Sequence, residues 1–449
     1  MGYNLLNGIR VLDLTMVFSG PITSKILAGF GAEVIKIESA SRADIFTRSN
    51  VYPENDPGED PWNRGSIFHA LNVGKHGISL NLGKEEGREI FRRLVKISDV
   101  VLENFSPKVM EKWGLGYDEL KKVKKDIIMV SLSGLGHSGP LRDFLMFVPG
   151  MEGMSGLTNI TGYPDQPPML SGHAYGDWLL GATGAAALMT ALYHRKVTGE
   201  GQFVDVAGRE AVAAHIGETI IDSSLNDRDW DRAGNRHPTA VPHGCYRCKG
   251  DDSWVTIAVE DDLQWKRFCD AIGNPLWTSD ERFDNSAKRS QNQDVLDTFV
   301  ESWTSQHDHY FVMDILQKAG VPAGAVLTIK EMHLDPHLIE RSFFEIIDHG
   351  GKVGKRPIPQ QLPAKFTNVE TFVPKAAPRF GEDNAYVFKE LLGMSEEEIR
   401  YLESTEIIGG MPNLPSPRPM RKELIERQGS GSFDEYYLAE LRQKYGEIG

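Results

Sequence analysis

Short apolar runs alternate with stretches of helical period through the first third of the chain. Residues 9–14 (IRVLDL) form a β-rich run, Gly20 and Pro21 mark a helix start over 22–29, and residues 32–37 (AEVIKI) form a second strand. The alternation repeats as strand 78–82, helix 84–98, strand 100–103, helix 117–125 and strand 127–132. Strands alternating with helices predict a doubly wound, Rossmann-like parallel α/β sheet. A smooth alanine-rich helix follows from Trp178, then strand 202–206 and helix 209–224. Between Asp44 and Gly65 the text is polar and rich in Pro, Asp and Asn, which predicts a long surface loop.

The pattern changes near residue 226. A large α/β domain over 1–225 gives way to a charged, turn-rich linker at 226–244 and a smaller α+β domain over 245–330. That block predicts strands at 254–259 and 323–327 and helices at 261–272, 290–303 and 308–320. A second linker at 331–345 leads into 346–449, which returns to the large domain. It holds strand-and-loop text to residue 372, a helix pair at 384–391 and 395–403, the Pro-rich NLPSPRP and a terminal helix at 433–445.

Composition narrows the function classes. At 449 residues and 40% hydrophobic content the chain can bury a sizeable core. A net charge of −14 argues against nucleic acid as partner, because phosphate contacts need a basic face. Three cysteines do not make a disulfide framework, and the lone Cys245/Cys248 pair has too few neighbours for structural zinc, so no metal is expected. The N-terminus lacks a signal-peptide pattern, and the most apolar helix, 179–193, is interrupted by Gly181 and Gly184. A cytoplasmic protein without membrane contact is the expectation.

Two kinds of chemistry can be set aside on motif grounds. Strand 32–37 leads to Glu38, where a dinucleotide-binding protein keeps its ribose-binding acid. The turn after the first strand, however, is TMVFSGP rather than G-x-G-x-x-G, and without those glycines the backbone cannot approach a pyrophosphate. No G-x-S-x-G elbow or P-loop is present. Asp177 stands apart, beside Gly176 at the head of the alanine-rich helix. Its carboxylate suits a helix cap, accepting from N–H groups two or three residues on. The same placement suits a nucleophile kept ionised by the helix dipole, with nearby N–H groups serving an oxyanion. The pattern leaves both readings open.

Several stretches in order resemble the family III CoA-transferases, the group of crotonobetainyl-CoA:carnitine CoA-transferase and formyl-CoA transferase. They are GIRVLDLT…SGP…LAGFGAEVIKIE, NVGKHGISLNL, DVVLENFSPKVMEKWGLGYDEL, SLSGLGHSGP and the GDWLLG…HRKVTGEGQ helix. The resemblance covers residues 8–402. It implies that Asp177 is the nucleophile of a ping-pong cycle through an aspartyl anhydride and an aspartyl-CoA thioester, with the CoA thioester as co-substrate and no tightly bound cofactor. It implies CoA contacts at Phe18, Ser19, Ser39, Leu80, Asn81, Asn104, Phe105 and Lys112, with Lys75 nearby. An arginine that contacts CoA in some members is absent at Ser39. The glutamate that some members place beside the nucleophile is Val148 here, with Glu152 four residues on.

The resemblance also implies partners: an acyl-CoA donor of the succinyl-CoA type, a small carboxylic acid, and a second chain in an interlocked homodimer or a heterodimer with a paralogue. The glycine-run lid of oxalate-type enzymes is replaced by HPTAVPHGCYRC, and the methionine-rich MFVPGMEGMSGL suits an aryl- or alkyl-substituted succinate better than oxalate. The related 2-methylacyl-CoA racemases need a histidine opposite the aspartate; the matching residues 145–147 are LMF, and His137 comes too early. A non-catalytic CoA-binding subunit, with Asp177 only a cap, completes the alternatives.

Overall fold

Six short strands carry near-continuous apolar side chains, and they assemble into one parallel sheet. In the computed structural model, which describes residues 5–49, 51–351, 353–360, 363–369, 375–412 and 436–448, these are β1 (Arg10–Asp13), β2 (Glu33–Glu38), β3 (His76–Ser79), β4 (Val100–Glu103), β5 (Ile128–Ser133) and β6 (Phe203–Ala207). Their order is β3-β2-β1-β4-β5-β6, and every pairing is parallel. Alternate residues of each strand serve opposite faces. Leu12, Ile35, Val101 and Met129 join a core beneath one face, whereas Val11, Val34, Leu102 and Val130 join the core on the other. Such two-sided burial explains why the strands read as unbroken apolar runs.

Helix α1 (Ser19–Gly29) and the long α2 (Tyr175–Thr198) cover one face together. Gly181 is what lets them touch: a Cβ there would lie 2.8 Å from the Ser19 carbonyl and 2.7 Å from Ile22. Thr23 donates its hydroxyl across the contact to the Gly181 carbonyl at 2.9 Å. The glycines that interrupt the apolar run are therefore packing positions.

The chain forms two compact units. The larger comprises residues 1–157, 170–221 and 334–449, and it holds the parallel sheet and a hairpin of β10 (Phe344–Asp348) with β11 (Lys355–Pro359). The smaller comprises 158–169 and 222–333, so 158–169 cluster with the smaller unit rather than with the rest of 1–225. It is built on an antiparallel sheet of β7 (His243–Arg247), β8 (Trp254–Ala258) and β9 (Ala323–Val326) around a core of Trp265, Phe268, Phe283 and Val312. Strand β7, which carries Cys245, has no counterpart in the expected elements.

The stretch expected as a surface loop after Asp44 is mostly exposed or half-buried, but it is not irregular throughout. It winds through three short helical turns, and its Arg48 is wholly buried against Glu38, with Nη2 2.6 Å from Oε2. Pattern reading missed this because one buried charge pair anchors an otherwise polar segment. The stretch NLPSPRP and the first residues expected in the terminal helix lie outside the described residues; the helix described there is Tyr437–Tyr445. Among the described residues, no helix is long and apolar enough to cross a membrane.

Candidate active site

Strand order reverses between β1 and β4, since the chain builds outward from β1 in one direction and from β4 in the other. Such a switch point leaves a crevice beyond the carboxyl ends of the two strands. Here that crevice is a cleft of about 240 Å³ lined by Met16, Val17, Ser19, Asn104, Phe105 and Asp177. The Asn104 side chain braces it, accepting from Met16 N at 2.9 Å and donating to Met16 O at 2.8 Å. Val17, at φ 67°, lies in the left-handed region, where a β-branched residue is strained. Its N–H is anchored by Asp44 Oδ2 at 3.0 Å. Ala174, next to the start of α2, is also left-handed at φ 51°. Strain of this kind persists where surrounding structure over-determines it, and it concentrates at functional sites.

Asp177 is not a helix cap. The cap position of α2 is Ala174, and Asp177 is the third residue of the first turn. The capping work is done from outside the helix by Glu152, a buried residue of the short helix Val148–Ser155. Glu152 accepts from Gly176 N at 3.1 Å, Ser171 N at 3.0 Å and Ser171 Oγ at 2.7 Å. Gly176 fits this crowding closely, as a Cβ would sit 3.1 Å from Val148 and 3.4 Å from Glu152.

This arrangement reverses the electrostatic expectation. Burial pushes the Asp177 carboxyl up to about 6, the Ser19 hydroxyl bond opposes the rise, and the Glu152 charge adds to it. Burial outweighs the helix N-terminus here, and the Gly176 N–H at that end is already taken by Glu152. The backbone donors expected to serve an oxyanion are likewise engaged: Gly176 N by Glu152, and Asp177 N and Trp178 N by Ala174 O. At pH 7 a carboxyl near 6 is still about nine-tenths ionised. Asp177 is thus a half-buried carboxylate, and among the described residues it has no ion-pair partner.

The other expected residues fall along the same sheet edge. Phe18 and Ser19 follow β1, Ser39 follows β2, Leu80 and Asn81 follow β3, and Asn104 and Phe105 follow β4. Only Ser19, Asn104 and Phe105 share the cleft with Asp177. Phe18 packs edge-on against Phe46, Ser39 accepts from Arg42 N, and exposed Lys112 ends a short helix. Asn81 turns its side chain onto Gly83 N. The Leu80 side chain is buried in the core.

Lys75 is not among the residues lining the cleft. Its ammonium is fully buried and reaches Ser24 Oγ at 2.7 Å, Asn72 Oδ1 at 2.8 Å, Asp13 Oδ2 at 3.1 Å and Pro21 O at 3.3 Å. An ammonium has three protons, so nothing remains for a ligand. Glu38, where a ribose would bind in a dinucleotide site, is engaged by Arg48.

His137 donates or accepts at Ser131 Oγ, 2.6 Å away, and faces a different cleft with Glu103. No histidine is among the described residues lining the Asp177 cleft. Sequence reasoning did not find the anchoring role of Glu152. Its available signal was a single acid inside the otherwise uncharged helix VPGMEGMS.

Comparison with known proteins places this geometry among relatives. The sequence model described as CoA-transferase family III matches residues 6–384. A succinyl-CoA–D-citramalate CoA-transferase of Chloroflexus aurantiacus is 33% identical over 404 residues, covering 90% of this chain and 98% of that protein. The succinyl-CoA–L-malate CoA-transferase alpha subunit of Chloroflexus aurantiacus is also 33% identical over 404 residues, covering 90% and 92%. Among solved structures, a CAIB/BAIF family protein from Brucella suis matches with a TM-score of 0.78 at 30% identity, covering 86% of this chain and 99% of that one.

Proposed function

The chain belongs to CoA-transferase family III, and on that premise we propose that Asp177 carries CoA from a succinyl-CoA-type donor to a dicarboxylic acid. The observation that carries the reading is the position of Asp177: an unpaired carboxylate in the switch-point cleft, with its capping role taken by Glu152.

An Asp177 oxygen attacks the donor thioester carbon, the C–S bond breaks, and CoA leaves as thiolate from a mixed anhydride. The thiolate attacks the aspartyl carbonyl, releasing the donor acid as carboxylate and leaving an aspartyl-CoA thioester. The acceptor carboxylate attacks that thioester, regenerating thiolate and a new anhydride. Thiolate attack on the acceptor acyl carbon then forms the new acyl-CoA and frees Asp177. One carboxylate enters and one leaves, so no net proton is needed. A nucleophile without a cation beside it keeps its basicity, consistent with a carboxyl near 6.

The pantetheine arm enters the cleft past Asn104 and Phe105, and the nucleotide lies toward the strand ends at Ser39 and Asn81. The citramalate and malate enzymes among the relatives act on acids with two carboxyl groups, and Met146 and Phe147 in the cleft lining suit an alkyl substituent. The working form is an interlocked pair of chains threading at 226–244 and 331–345, either two copies or this chain with a paralogous subunit. The absence of a cleft histidine among the described residues favours transfer over racemisation, which needs two opposed bases.

Incubation with succinyl-CoA followed by hydroxylamine or borohydride should label Asp177, read by peptide mass. An unlabelled Asp177 in an enzyme that still turns over would overturn the mechanism.

A further inference from the structure

An anionic acid entering a cleft that already holds a carboxylate needs a counter-charge. Of the described residues lining the Asp177 cleft, Asp177 alone is acidic and Arg142 alone is basic. We propose that Arg142 is the specificity residue that receives the second, unreacting carboxylate, both of the succinyl donor and of the dicarboxylic acceptor. The inference rests on the transfer reaction above and adds to it the group that selects the substrate class.

Three observations support it. First, Arg142 is not committed to a protein partner. Its Nη1 makes one long bond to the His137 carbonyl at 3.4 Å, and its Nε is 4.0 Å from Asp143. Asp143 is itself held by Lys108 at 2.7 Å. The remaining guanidinium donors have no protein partner among the described residues, and this planar fork matches a carboxylate.

Second, Arg142 does not pair with Asp177, and it is not among the groups that shift the Asp177 carboxyl. Both line one cleft, and the proposal sets one carboxyl of a dicarboxylic acid toward each. Third, the walls beside Arg142 are apolar: Phe144, Met146 and Phe147. Phe144 and Phe147 are exposed, and none of the three can hydrogen-bond a carboxylate, so on that side of the cleft the half-exposed guanidinium is the charged donor an acid chain meets. In a ping-pong cycle donor and acceptor occupy the cleft in turn, and one arginine serves both.

The test compares Arg142→Gln and Arg142→Lys with the parent enzyme, using succinyl-CoA against butyryl-CoA as donors and succinate against butyrate as acceptors. These pairs have equal chain length and differ in one carboxylate. Loss of a charge-assisted bond should lower kcat/KM for the dicarboxylic members by roughly 10- to 100-fold in Arg142→Gln, leaving the monocarboxylic members within about threefold. Arg142→Lys should retain part of the preference. Where butyrate is not turned over, its inhibition constant against succinate supplies the same comparison.

Equal losses for both classes, no loss, or a parent enzyme that does not distinguish succinate from butyrate would each overturn the proposal. The failure modes are separable. If Asp177 is labelled by succinyl-CoA and Arg142→Gln does not discriminate, only this inference fails. If Asp177 is never labelled while turnover persists, the transfer mechanism fails first.

Discussion

The role proposed for Asp177 comes at a cost to stability. Its carboxyl titrates near 6 in the fold against an ordinary value of 3.8, so the folded state binds the proton more tightly. For a raised acid the sign is fixed: its contribution to stability is fully present below pH 3.8 and is lost as pH rises through 6. Above that range the ionised, poorly solvated group opposes folding. Asp177→Asn, which removes the charge and keeps the shape, should therefore abolish transfer and raise stability at pH 7 by about 1–2 kcal/mol. The gain should disappear by about pH 4. Urea unfolding of both proteins at pH 7.5 and pH 4 measures it, and a destabilised Asn variant at pH 7.5 would show the carboxylate to be structural. The same titration sets an acid limb near pH 6 on the rate. The sequence could not separate cap from nucleophile, because both want an acid in the first turn. The cap reading is removed by Glu152, which comes from another helix to bind Gly176 N, while the nucleophile reading rests on the labelling experiment.

At the scale of elements, Asp177, the proposed nucleophile, is positioned by how closely α2 packs on α1. Gly181 meets Ser19 there, and Ser19 hydrogen-bonds the Asp177 carboxylate. Gly181→Ala sets two effects against each other. Helix propensity favours alanine by up to about 1 kcal/mol, while overpacking costs roughly 1–3 kcal/mol. The obstacle is a backbone carbonyl at 2.8 Å, which cannot rotate away, so overpacking wins. A net loss of about 1–2 kcal/mol is expected, with a lower kcat as α2 is pushed off Ser19. A variant of parental stability and rate would mean that the two helices separate freely. The elements themselves were legible, since β1 to β6 follow apolar runs that local pattern detects. The start of α2 was placed three residues late, at Trp178 instead of Tyr175, because a left-handed Ala174 and a cap supplied by Glu152 leave no local signature.

Across the whole molecule, a layer of buried charge under the carboxyl ends of the strands counters Asp177. Burial alone would raise Asp13 and Glu38. Lys75 and Lys36 around Asp13, and Arg48 on Glu38, hold both carboxyls down at about 2. Their contribution is present above the ordinary values near 4 and is lost as pH falls through 2. Burial lowers the Lys75 ammonium to about 8, which offsets part of the Asp13 contribution at neutral pH and leaves the acid-side dependence to the two carboxyls. Stability should then fall steeply between pH 4 and pH 2, measured by circular dichroism, and a fold unchanged at pH 2 would exclude this layer as a support. The order of apolar runs was enough to specify a parallel doubly wound sheet, because strand and helix periods are local properties of neighbouring residues. The E-N-F and G-D-x-x-x-G stretches were enough to point to a family and to Asp177. The roles of Lys75 and Glu152, and the one proposed for Arg142, depended on which side chains meet across 24 or more positions of chain, as Glu152 meets Gly176 and Lys75 meets Asp13. Such meetings are created by packing, and packing decides which charges are paired and which one is left facing the cleft.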